Sequence, residues 1–218
     1  MANGAGTSRF KRSYFAASVA EFLDATANQV LGQLTARSEF DVGLAQRDAW
    51  QCEIDLLQEA LPPFRDRGRI YLEFVVPRLG KRIDAVLLLD NVVFDVEFKV
   101  GEKQFGRQDI EQVWDYALDL KNFHETSHTK RIVPVLLITG ASQKGKFAAV
   151  SEFTDGVMQP ILASADQLAE VLHDVLDTRL RVVARRLVGE RSLPTDANDH
   201  RSRHSAVPAA LGCRHQSA

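Results

Sequence analysis

Between residues 69 and 100 the chain sets three strand-like runs almost end to end: RIYLEFVV (69–76), RIDAVLLL (82–89) and VVFDVEFKV (92–100). Each is rich in β-branched and aromatic residues, which suit a pleated surface better than a helix. Only short turn signals separate them, Pro77 to Gly80 and then Asp90-Asn91. Successive runs therefore read as hairpin partners.

Helical periodicity brackets this block. Residues 13–36 place Phe15, Val19, Phe22, Leu23, Val30, Leu31 and Leu34 near one face, which predicts a helix. A second helix is expected from about Gln46 to Leu61, with Trp50, Ile54, Leu57 and Leu61 as its stripe and Pro62-Pro63 as its stop. After the strands, a helix from Asp109 to Phe123 carries Ile110, Val113, Trp114, Ala117 and Leu118, with Asp109 as its N-cap. The run 131–138 (RIVPVLLI) reads as a buried strand, and Pro134 suggests an edge or irregular position for it. Residues 166–188 look helical. From 190 to 218 the sequence is polar and aperiodic, and disorder is expected there. The order of elements predicts an α/β fold on a mixed central sheet, with accessory helices at both ends.

The last hairpin constrains the chemistry. With Asp90-Asn91 as a two-residue turn, Leu89 faces Val92 and opposed residues have numbers summing to 181. Asp84 then lies across from Glu97, and Lys99 points the same way one pleat along. A slip of one residue would destroy that convergence. Two opposed carboxylates inside apolar strands repel each other unless a cation or protons neutralise them. Carboxylate oxygens suit magnesium, which polarises a phosphate and lowers the pKa of an attacking water. A nearby lysine offsets charge that builds on the phosphorane. The bland alternative is a solvated sheet face with Lys99 in an ordinary cross-strand ion pair.

Composition excludes little. The 218-residue chain has a net charge of −2, so it is not a generic polycation, but local metal ligands and basic contacts cancel in such a total. No apolar stretch is long enough to span a membrane, and no signal-type run follows the basic N-terminus. Cys52 and Cys213 form neither a CxxC nor a Cys/His cluster, which fits a reducing cytoplasm.

IDAVLLL followed thirteen residues on by VEFKV resembles the PD-(D/E)xK nuclease signature, with Asp84, Glu97 and Lys99 in the motif positions. Ile83 stands where the motif's formal name has proline. That family's core is ordered α-β-β-β-α-β, as is the sequence. Gln112 and Tyr116 form a Q-x-x-x-Y similar to the additional motif of RecB-like members, and a spacing of four sets both on one helical face. Glu53 matches the acidic residue that many members supply as an outer metal ligand. The stretch from Trp50 to Pro134 resembles the nuclease-like N-terminal region of bacterial proteins that continue into a Schlafen-type P-loop helicase. The resemblance spans roughly residues 13–139. It implies a restriction-endonuclease-like domain over 46–189, a helical extension over 1–45 and a tail over 190–218.

The activity so implied is metal-dependent hydrolysis of phosphodiester bonds, with DNA the expected substrate and RNA open. Mg2+, or Mn2+, would be held by Asp84, Glu97 and Glu53. Lys99 would serve the attacking water or the transition state, and Gln112 and Tyr116 would position substrate. A P-loop helicase is the implied partner. Two other readings stay open: a nucleic-acid-binding or regulatory module of a helicase-associated system, and a truncated fragment.

Other features weigh less. Residues 140–147 (GASQKGKF) nearly match a phosphate-binding loop, but Phe147 occupies the place of the metal-binding hydroxyl, and a basic loop is the expectation. Glu73 reads as a solvated strand glutamate or a partner for Arg82, with help to the metal as the sharper alternative. Arg78, Lys81, Arg82, Lys103 and Arg107 either hold a phosphate backbone or form charged turns. Arg179, Arg181, Arg185 and Arg186 suit a helix C-terminus equally well. His124 and His128 read as surface residues.

Overall fold

In the computed structural model, which describes residues 12–38, 41–76, 81–123, 127–141 and 156–177, Asp90 and Asn91 turn the chain as expected. Both take left-handed backbone, with φ of 45° and 70°. That is the conformation a type I′ hairpin turn requires. It joins β3 (Arg82–Leu89) to β4 (Val92–Lys99), and the ladder runs Leu89↔Val92 to Ala85↔Val96, every pair summing to 181.

β2 (Gly68–Val75) lies antiparallel on the other side of β3. Gly68 has a φ of +134°, and a Cβ there would sit 1.9 Å from the Leu88 carbonyl oxygen. Only glycine lets β2 enter that close to β3.

Residues 13–36 are not one helix. Ser13–Ser18 is a strand, β1, paired antiparallel with β2 at one edge of the sheet. α1 (Val19–Asp24) and α2 (Ala27–Arg37) follow. The reason is local. Ser18 and Glu21 form one capping box and Thr26 and Gln29 a second, and each starts a new helix. Upstream of Ser18, SYFAAS has no polar face to give a helix, and it lies down on the sheet.

α3 (Leu44–Ala60) comes next and gives way to a 3-10 turn at Pro62–Phe64. Beyond β4, α4 (Arg107–Phe123) crosses to β5 (Arg131–Ile138), which lies parallel to β4. β6 (Ile161–Ser164) lies parallel to β5, and residues 168–177 are helical, α5; the part of the helix expected over 166–188 that lies beyond 177 is outside the described residues. The outcome is an α/β fold on a six-stranded mixed sheet in the order β1-β2-β3-β4-β5-β6.

One further expectation needs correction. Asp109 is not the N-cap of α4, which already begins at Arg107; it lies in the first turn. Of the edge or irregular position expected at Pro134, the irregular one holds: β5 lies between β4 and β6, and its pairing with β6 is interrupted there. Pro134 is tolerated inside the sheet because β6 pairs with β5 only from Val135, and the other link on that side is a bridge between Ile132 and Val157. The missing N–H falls in the gap.

The larger apolar cluster joins one sheet face to α1, α2, α3 and α5 through residues such as Phe22, Leu34, Ile54, Leu57, Leu87 and Leu172. The smaller one joins the other face to α4 through Val86, Val93, Tyr116, Ala117 and Leu120. Among the described residues no helix is long and apolar enough to cross a membrane. Arg78, His124, residues 142–147 of the near-miss loop, the four arginines from Arg179 to Arg186 and the tail 190–218 lie outside the described residues.

Candidate functional site

Past Ala85↔Val96 the ladder between β3 and β4 stops, although β3 continues along β2 to Arg82↔Val75 and β4 continues along β5 to Lys99↔Ile138. Side chains replace the missing rungs. The backbone N–H of Asp84 donates to Glu97 Oε1 at 3.3 Å, and the Phe98 N–H donates to Asp84 Oδ2 at 2.9 Å. Asp84 and Glu97 thus meet at an opening between two strands.

Glu97 and Lys99 lie on the α4 side. Gln112 Nε2 donates to Glu97 Oε2 and to the Tyr116 hydroxyl, each at 3.1 Å, while Lys99 Nζ donates to Gln112 Oε1 at 3.4 Å. The amide of Gln112 therefore links the lysine to the carboxylate, one end for each. Lys99 is also ion-paired with Asp109 Oδ1 at 3.0 Å. Asp109, Gln112 and Tyr116 share a helix face by their spacing of three and four. Lys81 Nζ lies 5.6 Å from the centroid of the Tyr116 ring.

Glu53 reaches the opening from α3, on the opposite side of the sheet. Its side chain is only 9 % exposed, and Asp84 and Glu73 are the charges that act on it. Glu73 is neither solvated nor passive. It is 5 % exposed, ion-paired with Arg82 at 2.6 Å, and accepts a hydrogen bond from Trp50 Nε1 at 2.6 Å.

Glu73 also carries a φ of 51° in mid-strand. A left-handed residue of this kind costs on the order of 1–2 kcal/mol. Here it breaks the alternation of two strands. Leu72 and Ala85 belong to the α3-side cluster, whereas Phe74 and Ile83, one pair further on, belong to the α4-side cluster. The switch falls at Glu73 and Asp84, and it lets acids from both layers approach one another.

Burial and mutual repulsion dominate the electrostatics. Desolvation, then Asp84 and Glu73, push Glu53 up to about 9. Desolvation pushes Asp84 up to about 7 in spite of the Phe98 N–H that favours its ionised form. Glu97 is raised by desolvation, then by Asp84 and Asp95. Tyr116 is raised to about 12 by burial and then by Glu97.

Asp95 was missed by sequence reasoning. It is fully buried, and among the described residues neither carboxylate oxygen has a hydrogen-bond partner. Desolvation, then Asp84, raise it well above the usual carboxylate range. The alternation Asp95, Glu97, Lys99 was a signal for it, since three odd-numbered residues of one strand share a face. Asp109, at i−3 from Gln112, was legible in the same way.

Among the described residues, no three His, Cys, Asp or Glu side chains are gathered to hold a metal ion between them. Three of the four oxygens of Asp84 and Glu97 are taken by N–H donors: Asp84 Oδ2, Glu97 Oε1 and Glu97 Oε2. The donor set is nonetheless all oxygen, of the kind a hard divalent cation takes, and the repulsion among Glu53, Asp84 and Glu97 is what such a cation relieves. In chemistry the residues fit magnesium. The expected ligands are near one another, but not as a preformed cage.

Compared with protein-family models, with curated proteins and with solved structures, the chain has no match.

Proposed function

We propose that the protein is a divalent-metal-dependent nuclease with a restriction-endonuclease-like core, acting on phosphodiester bonds in DNA. The observation that carries the reading is the linkage Lys99–Gln112–Glu97 beside Asp84, at the point where two strands part. Asp84, Glu97 and Glu53 would hold Mg2+ or Mn2+, which when bound supplies an activated water and a polarised phosphate. Lys99 sits where an ammonium can offset charge on the reacting phosphate, and its ion pair with Asp109 holds it there. Gln112 fixes both Lys99 and Glu97, and Tyr116 fixes Gln112. RNA as substrate and a P-loop helicase as partner belong to the same reading.

The test is incubation of the purified chain with circular single-stranded and with linear duplex DNA, in magnesium or in EDTA. Metal-dependent breakdown of either is the expected result. Failure on DNA and on RNA, with Mg2+ and with Mn2+, overturns it.

One observation favours a second reading, a nucleic-acid-binding module without catalysis. Asp84 and Glu97 are already engaged with backbone and amide N–H donors, so the opening closes on itself without a cation. That reading expects binding and no metal-dependent cutting by the wild type.

A further inference from the structure

Arg82 opens β3 two residues before Asp84, and its positive charge is among those acting on the Asp84 carboxyl. Its Nε donates to Glu73 Oε2 at 2.6 Å and its Nη1 to the Tyr14 hydroxyl at 3.0 Å. The guanidinium also lies over the Tyr14 ring, 5.1 Å from the centroid. Tyr14 and Glu73 are both buried, so two fixed atoms and a ring face set the arginine's rotamer. Glu73 is itself fixed by Trp50. Yet the Arg82 side chain is 38 % exposed, and its Nη2 has no hydrogen-bond partner among the described residues.

An ion pair that only neutralised a buried glutamate would need no second anchor, no ring face and no unused edge. A planar fork held on one side and open on the other suits recognition of a phosphate. Because its freedom is already spent on Glu73 and Tyr14, little more is lost when it meets a ligand. We infer that Arg82 anchors the phosphodiester backbone of a nucleic acid beside Asp84, with Glu73 and Tyr14 as its positioning residues. This rests on the nuclease reading and names a substrate contact for it. It also gives the strained backbone at Glu73 a second role: that residue holds the anchor as well as shaping the opening.

The test is the equilibrium binding of a short single-stranded and a short duplex DNA to the full chain in EDTA, over a range of salt. Arg82→Gln should weaken binding about tenfold and flatten the salt dependence by about one phosphate. Glu73→Gln gives the sharper result, because the two explanations differ in sign. Loss of a negative charge alone tightens binding to a polyanion. Loss of the atom that fixes Arg82 weakens it, and a several-fold weakening is expected. Tyr14→Phe, which removes one hydroxyl, should weaken binding about twofold.

Unchanged affinity and salt slope in a folded Arg82→Gln, or tighter binding by Glu73→Gln, overturns the anchor. Should Arg82→Gln fail to fold, Arg82→Lys decides. It keeps the charge but cannot span both partners, and wild-type affinity in it overturns the proposal. The two readings fail separately. A wild type that cuts DNA while Arg82→Gln binds normally sinks the anchor alone, whereas a wild type that binds neither DNA nor RNA sinks both.

Discussion

The two ends of the β3–β4 hairpin are built on opposite principles. At the turn end, Leu89, Val92, Leu87 and Phe94 are fully buried, the ladder is complete, and Asp90 is held by Arg67 through Nε at 2.9 Å. At the open end the ladder is gone, and in its place the Glu97 carboxylate accepts from the Asp84 N–H and the Asp84 carboxylate from the Phe98 N–H. One end is favoured at any pH by apolar burial. The other gathers carboxyls that repel one another. The comparison teaches that a few residues of strand separate the part that makes the fold from the part that strains it, and the two respond to different perturbations.

The largest effect should come from the open end and show in rate. Glu97→Gln keeps shape but removes a charge the cation needs, and metal-dependent cleavage should fall by orders of magnitude, about 1.4 kcal/mol of barrier for each tenfold. DNA binding without metal should be kept or strengthened. Cleavage that survives both this change and Lys99→Ala would place the chemistry elsewhere.

Next in size is a change near the turn end, which should show in stability alone. Leu87→Ala deletes a fully buried side chain between the sheet and the helices of the larger cluster. Denaturant titration should report a loss of about 2–5 kcal/mol. A loss well under 1 kcal/mol would mean that this region is less tightly packed than its burial implies.

The pH dependence of stability in EDTA should come third. Asp84, raised from 3.8 to about 7, and Glu53, raised from 4.5 to about 9, hold protons in the folded chain that the unfolded chain releases. Their contribution is full below about pH 4 and is lost as pH rises through about 7 to 9. Scans of thermal midpoint from pH 5 to 9 should fall, by the equivalent of roughly a few kcal/mol. Asp95→Asn removes a further buried acid, one with no hydrogen-bond partner among the described residues, and should flatten the fall, as should added magnesium. A midpoint independent of pH would show that these carboxyls are not buried against one another.

The smallest effect belongs to the turn itself. Asn91→Ala puts an alanine at a φ of 70° and removes a side-chain contact with Lys130. Chemical denaturation should register about 1 kcal/mol of destabilisation, with cleavage unchanged. A large change in activity would couple the two ends.

Legibility in the sequence divides along the same line. Asp90-Asn91 set the register because both residues tolerate left-handed backbone, and with the register came the meeting of Asp84 with Glu97. Gln112 and Tyr116 stand out only through the resemblance of Q-x-x-x-Y to a known motif; their spacing of four sets both on one helical face, and Gln112 meets both Tyr116 and Glu97. Glu73 defeated the same logic. Alternation assumes extended backbone at every residue, and a single left-handed one exchanges the faces of the residues after it. The strand Ser13–Ser18 was hidden because apolar residues in a run of six match a helical stripe as well as a pleat, and only the capping boxes at Ser18 and Thr26 mark where helices begin. β6 was missed because four residues are too few to show a period.

Every strand of the sheet lies beside its neighbour in the chain, and this order bears on how the molecule assembles. β2, β3 and β4 join through brief connections, so their closure costs little entropy and they should pair early. β1 must close a loop that contains α1, α2 and α3, and β5 must wait for α4 to fold and cross. Trp50 and Glu53 arrive with the first of these late events, Gln112 and Tyr116 with the second. The opening that holds Asp84 and Glu97 is therefore completed only when both layers have docked. In stopped-flow kinetics, Leu87→Ala should slow folding, whereas Trp50→Phe should mainly speed unfolding. The reverse pattern would mean that the helices nucleate the sheet.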